Sequence, residues 1–259
     1  MKKLRKHLNL KYVKIIAAIK VTLLMGYLAM NGQQIHDDYV FESTSKSVVR
    51  LLNPLNHGSG GTGFAVRTPA GEEFTLTNSH VCEIANRIGY IDAQFPNQDR
   101  YIRLTVLEKA PFTDLCLLDP VPGLSPLKIA SDVSLNETVT VVGFPFLMPI
   151  SPSKGKLISR QIVSVLYAIN VTKEECSGET FQFVDTSSDI FMAFMGIKSL
   201  CFRHIDSYYS NIITYPGNSG SPVVNYWGNV VGVLFAGDNR TNHGFIIPID
   251  QIKKFLKVY

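Results

Sequence analysis

Short apolar runs rich in β-branched residues recur along most of this chain, each bounded by glycine, proline or asparagine. Such runs predict strands rather than helices. Ser47–Leu52 is the first. From Thr62 to Phe144 five or six more follow one another. Three prolines in Phe144–Pro152 mark a crossover, because proline and its preceding residue break regular pairing. A second set of runs opens at Lys156–Tyr167, and Tyr226–Asn229 reads as the turn of a hairpin. Many short strands with glycine- and proline-rich turns suggest a sandwich or barrel. Residues 170–208 fit no place in this pattern and read as an insertion: a lid, a recognition loop or a surface ornament. The helical period returns only at the end, where Ile252, Phe255 and Leu256 share one face of a predicted helix over 249–259, with Asp250 as candidate N-cap.

The first 32 residues differ from the rest. A basic stretch, Lys2 to Lys14, precedes an apolar one, Ile15 to Met30, with Lys20 inside it. A basic region before a short apolar run reads as a signal peptide. No good cleavage site follows, so an uncleaved membrane anchor is an equal reading. Both place the remainder outside the cytoplasm. The bland alternative is an amphipathic helix on a cytoplasmic protein. Residues 33–44 read as a linker.

Charge changes the picture once the ends are separated. The net charge is +4, but residues 1–20 hold seven Lys and Arg and no acid, leaving 18 basic against 21 acidic residues elsewhere. No basic surface on the folded part points to nucleic acid. No metal-ligand spacing appears, so neither metal nor cofactor is expected. Four cysteines are few. Cys82 and Cys116 are expected in the core as small apolar residues. Cys176 and Cys201 lie in the insertion and either pair or stay as free thiols.

Chemistry concentrates in Tyr215-Pro216-Gly217-Asn218-Ser219-Gly220-Ser221-Pro222. Glycines around a serine let backbone N–H groups approach a ligand. Ser219 can then attack a carbonyl, with the N–H groups of Gly217 and Ser219 as an oxyanion hole. A serine hydroxyl needs a base to take its proton, and the base needs a carboxylate to fix its tautomer. Thr77-Asn78-Ser79-His80-Val81-Cys82 and Thr113-Asp114-Leu115-Cys116 each follow a strand-like run and supply these partners. The candidate catalytic residues are therefore His80, Asp114 and Ser219, in that chain order. His57 and His204 read as surface residues.

These motifs resemble those of trypsin-like serine peptidases, and within them the HtrA/Deg branch. Gly61–Val66 is similar to that branch's first glycine-rich strand, Gln161–Leu166 to a strand of its second barrel, and Phe245–Ile252 to its last strand and helix. Glu137–Pro145 resembles the strand that closes its first barrel. The resemblance implies an all-β fold of two antiparallel, chymotrypsin-like barrels with the active site between them. Barrel one would span about 45–145, barrel two about 146–248, and a short C-terminal helix would follow. It implies a serine endopeptidase acting on extended polypeptides, with a catalytically weak peptide-binding relative as the alternative. Substrate would pair with Leu234, Phe235, Ala236 and Gly237. Ile213 would lie at the base of the specificity pocket, beside Thr214, and favour small or medium aliphatic residues at the cleaved position. His243 could reach the pocket only if its ring turned inward. Neutral Asn218 implies that no newly cut amino terminus is needed for activity. No PDZ domain is expected within the chain. The sequence does not fix an oligomeric state.

Overall fold

The structure, a computed structural model, describes residues 2–257 except 69, 97, 111 and 179; the side chains of residues 2–15, 17, 18 and 87 are outside the description. Met1 of the predicted leader, and Val258 and Tyr259 of the predicted last helix, therefore lie outside the described residues. The chain divides into two compact units, one through Glu42 and one from Ser43.

The first unit is formed by a single helix, α1 (Lys2–Ser45). Residues 33–44, expected as a linker, are helical. Gln33 donates to Asp37 at 2.8 Å and Gln34 to Asp38 at 2.7 Å, and amide–carboxylate pairs four residues apart stabilise a helix. Among the described residues no helix is long and apolar enough to cross a membrane, so the anchor reading finds no support here.

The second unit carries the strands. β1 (Val48–Leu52), β2 (Gly60–Arg67), β3 (Glu73–Asn78), β4 (Tyr90–Gln94), β5 (Tyr101–Ala110) and β6 (Leu115–Leu118) close into a barrel in the order β1-β2-β3-β6-β5-β4. Alternate residues of each strand point inward, and Val49, Leu51, Ile91, Leu104 and Leu118 meet in a buried core. Burying a side chain of this size is worth about 1.5–3 kcal/mol, so this cluster helps fix the register of the strands that supply it. A four-residue helix, α2 (Ser79–Cys82), follows β3 directly.

The second sheet contains β7 (Thr138–Gly143), β8 (Ser151–Ile169), β9 (Phe181–Asp185), β10 (Ser199–Ile213), β11 (Pro222–Val224), β12 (Val230–Gly237) and β13 (His243–Pro248), ordered β13-β12-β11-β7-β8-β10-β9. β13 also pairs with β10, which brings six strands round on themselves and leaves β9 outside. The expected two-barrel, all-β architecture is therefore present. The boundary moves, however. β7 was expected to close the first barrel, but it pairs with β8 and β11 and belongs to the second. The β1–β4 pairing had already closed the first.

The insertion is not a separate lid. β8 and β10 run as one long antiparallel ribbon, and β9 adds to its edge through residues 199–203. A short helix, α3 (Ile190–Phe194), is capped by the Asp189 carboxylate, which accepts from the N–H groups of Phe191 and Met192. Cys176 and Cys201 form a disulfide. So do Cys82 and Cys116, which corrects the expectation of isolated core thiols. The β3–β6 register sets Asn78 opposite Leu115, so the turn of α2 carries Cys82 onto Cys116. The chain closes with α4 (Ile249–Phe255), whose N-cap is Pro248. Asp250, expected as the cap, sits in the first turn and pairs with Arg160 at 2.8 Å.

Candidate active site

His80 stands on α2 and Asp114 on the turn leading into β6, both in the first barrel. Asp114 adopts a left-handed backbone, φ 57°, which aspartate tolerates better than most residues. That conformation turns both its carbonyl and its carboxylate toward α2. The carbonyl accepts the Ser79 N–H at 3.0 Å and the Asn78 side-chain amide at 3.1 Å. Carboxylate Oδ1 accepts the His80 backbone N–H at 3.0 Å, and Oδ2 lies 2.7 Å from His80 Nδ1. The Asp114 side chain is 1% exposed, whereas that of His80 is 39% exposed. The carboxylate is thus sealed off while the imidazole stays accessible. The Cys82–Cys116 bridge ties the same two elements two residues further on.

Ser219 comes from the second barrel, in the turn between β10 and β11. Two glycines shape that turn. Gly217 has φ +94°, and a Cβ there would lie 2.3 Å from the Phe144 carbonyl; Gly220 has φ +85°, and its Cβ would lie 2.1 Å from the Thr62 carbonyl. No other residue fits at either place. The Pro216 carbonyl accepts the Phe146 N–H at 2.5 Å. A trans peptide sends its N–H the opposite way from its C=O, so the Gly217 N–H points away from Phe146. Neither it nor the Ser219 N–H has an acceptor among the described residues. The Ser219 hydroxyl donates to the Phe235 carbonyl at 3.3 Å, not to His80.

Thr62 of β2 joins the barrels at this point. Its hydroxyl donates to the Gly217 carbonyl at 2.8 Å and accepts the Phe144 N–H at 3.2 Å, while its own N–H donates to the Ser219 carbonyl at 2.7 Å. Nothing in its local sequence marked it. Arg203 of β10 was also missed, although its guanidinium lies 3.1 Å from Asp114 Oδ1 and its side chain is 5% exposed. The signal was present in the alternation Ser199-Cys201-Arg203-Ile205-Ser207, which places an arginine on an inward face.

A cavity of about 280 Å³ opens beside Ser219. Thr214, Leu234, Ala236 and Gly237 of the expected substrate-binding residues line it, together with Asp238, Asn239 and Asn242. Ile213 and Phe235 do not line it. Strand alternation explains Ile213: Ile212 and Thr214 turn inward, leaving Ile213 40% exposed. Phe235 is buried. Asp238 brings a carboxylate near the cavity, but that group accepts the N–H groups of Arg240 and Thr241 and the Thr241 hydroxyl. The bond from Arg240, more than any other, holds its carboxyl below the usual range. His243 Nδ1 bonds the Tyr209 hydroxyl at 2.7 Å, and its ring is not part of the lining. Among the described residues no cluster of His, Cys, Asp and Glu could hold a metal ion.

Comparison with known proteins gives a consistent result. The family described as trypsin-like peptidase domain matches residues 61–233, more than half of the chain. A mitochondrial Do-like protease of Arabidopsis thaliana (Do-like 12) is 30% identical over 224 residues, which is 83% of this chain and 37% of that protein. The serine protease Do-like HtrA of Bacillus subtilis is 24% identical, covering 74% of this chain and 37% of its own length. The chain therefore spans well under half of these relatives. Among solved structures, the active form of the Rv3671c protease from M. tuberculosis superposes with a TM-score of 0.59 at 21% identity, covering 86% of this chain and 85% of that one. At that identity the likeness is one of fold.

Proposed function

The chain belongs to the trypsin-like peptidase family, and on that premise we propose that it is a serine endopeptidase working through Ser219, His80 and Asp114. The observation that carries this reading is the His80–Asp114 pair. Its imidazole is accessible, and its Nδ1 is committed to a buried carboxylate at 2.7 Å. Nδ1 then carries the proton and Nε2 is left as the base. Ser219 Oγ attacks the scissile carbonyl as His80 takes its proton. The N–H groups of Gly217 and Ser219 receive the developing oxyanion. His80 returns the proton to the leaving amine, and water releases the acyl-enzyme by the same steps. Before attack, Ser219 must leave the Phe235 carbonyl. At 3.3 Å that bond is long for an O–H donor, so a rotation about χ1 releases it cheaply.

The substrate is an extended polypeptide lying along β12. The cavity presents Leu234 and Ala236, and its one carboxylate is committed to its own loop. A buried substrate cation would go unpaired and lose its hydration. Small or medium aliphatic side chains are the residues it accepts. The two disulfides favour a compartment outside the reducing cytoplasm. The contact of Ser219 with Phe235 favours a second reading, a peptide-binding relative that does not turn over.

Labelling with a fluorophosphonate probe separates the two. Intact chain labels at Ser219, and Ser219→Ala abolishes both labelling and cleavage, a loss on the order of a million-fold in turnover. Unlabelled, inert but folded wild-type protein would establish the binding module instead. A peptide-library profile dominated by Arg or Lys at the cleaved position would refute the pocket reading.

A further inference from the structure

Arg203 lies in the stretch that the sequence left unplaced. On β10 it occupies an inward position between Cys201 and Ile205. Arginine is rarely buried unless paired, and here the Asp114 carboxylate lies 3.1 Å away, with side chains 5% and 1% exposed. The Tyr167 ring lies 5.3 Å from the guanidinium carbon. Val165 on β8 and Phe181 on β9 are its ladder neighbours. Oδ1 of Asp114 therefore receives both Arg203 and the His80 backbone N–H, and Oδ2 is left to the imidazole.

We propose that Arg203 is a positioning residue for the peptidase reaction, clamping the Asp114 carboxylate so that it presents a single oxygen to His80 Nδ1. A charge-assisted contact holds a carboxylate's orientation more firmly than a neutral one. With Oδ1 engaged, the carboxylate has one free oxygen and one orientation to offer Nδ1–H. Among the described charged side chains on elements packed against α2, Glu73, Glu83, Arg103 and Glu108 are exposed, Glu73 pairs with Arg67, and Lys109 is engaged by Asn86. The insertion thus supplies part of the catalytic machinery.

This inference rests on the serine-peptidase reading, but its test measures the imidazole directly, and fluorophosphonate labelling of the same samples tests that reading separately. The Nδ1–H proton resonance of His80 is followed by NMR in the full chain. Arg203→Gln shifts that resonance, and kcat falls about tenfold or more with KM little changed. Arg203→Lys, which keeps the charge, restores both toward wild type. Folded Arg203→Gln with an unmoved resonance and wild-type kcat, or Arg203→Lys as impaired as Arg203→Gln, overturns the proposal. Should Arg203→Gln not fold, Arg203→Met, which fills the same buried space without the charge, carries the test with the same outcomes.

Discussion

Thr62 shows how one small side chain can hold two barrels in register at the point where they must cooperate. It is fully buried, and three of its bonds reach the second barrel or the strand leading into it. Thr62→Val keeps the shape but strips the hydroxyl from the Gly217 carbonyl and the Phe144 N–H. A buried polar group left unpaired costs about 1–3 kcal/mol, so the urea midpoint should fall accordingly. Turnover should fall more than KM rises, because the Gly217 turn carries the oxyanion donor of the proposed reaction. An unchanged midpoint would mean that water replaces the hydroxyl. Legibility at this scale divides sharply. The His80–Asp114 contact was readable because each residue sits in a short motif whose chemistry is local. Thr62 and Arg203 were not, because their partners are 155 and 89 positions away in the chain.

At the scale of elements, the strands were visible as apolar runs, but their partners were not. β7 was placed in the wrong barrel because a strand's sequence reports which face is buried, not which neighbour completes the sheet. Ile213 was assigned to the pocket by its distance from Ser219, when the alternation of β10 points it outward. The long ribbon of β8 and β10 was hidden by its own exposure. Much of β8 alternates between half-buried and exposed residues, a weak signal for pairing. The Cys82–Cys116 bridge also joins elements that the sequence showed only singly. Replacing both cysteines by alanine should cost about 2–4 kcal/mol of stability. Activity at low denaturant should largely survive, since Asp114 also holds α2 by hydrogen bonds. Loss of activity at full native signal would instead give the bridge a direct part in aligning His80.

For the whole molecule, the charged cluster of Arg160, Asp206, Asp250 and Gln251 ties β8, β10 and α4 together. The Arg160 guanidinium holds the Asp206 carboxyl below its usual range. A depressed folded-state pKa adds stability above the unfolded value of about 3.9 and loses it as pH falls through the folded one. Asp206→Asn should therefore lower the melting temperature at pH 7, and the difference should narrow progressively as pH falls below about 3.9. A gap of constant size from pH 7 down to the acid-unfolding limit would assign the effect to packing. The pair is partly exposed, so the gap is expected to be small.

The division of labour between the barrels has a consequence in time. Barrel one is complete at Leu118, with His80 and Asp114 already facing each other. The nucleophile lies about a hundred residues later, which a ribosome reaches roughly 5–20 s afterwards. On the proposed reading, the chain made in that interval contains the base and its carboxylate but not yet the nucleophile. Arg203 and the ribbon emerge next, and Ser219 comes last among the working groups. A growing polypeptide is itself an extended substrate, and on the proposed reading a chain that has not yet reached Ser219 has no nucleophile with which to cut itself.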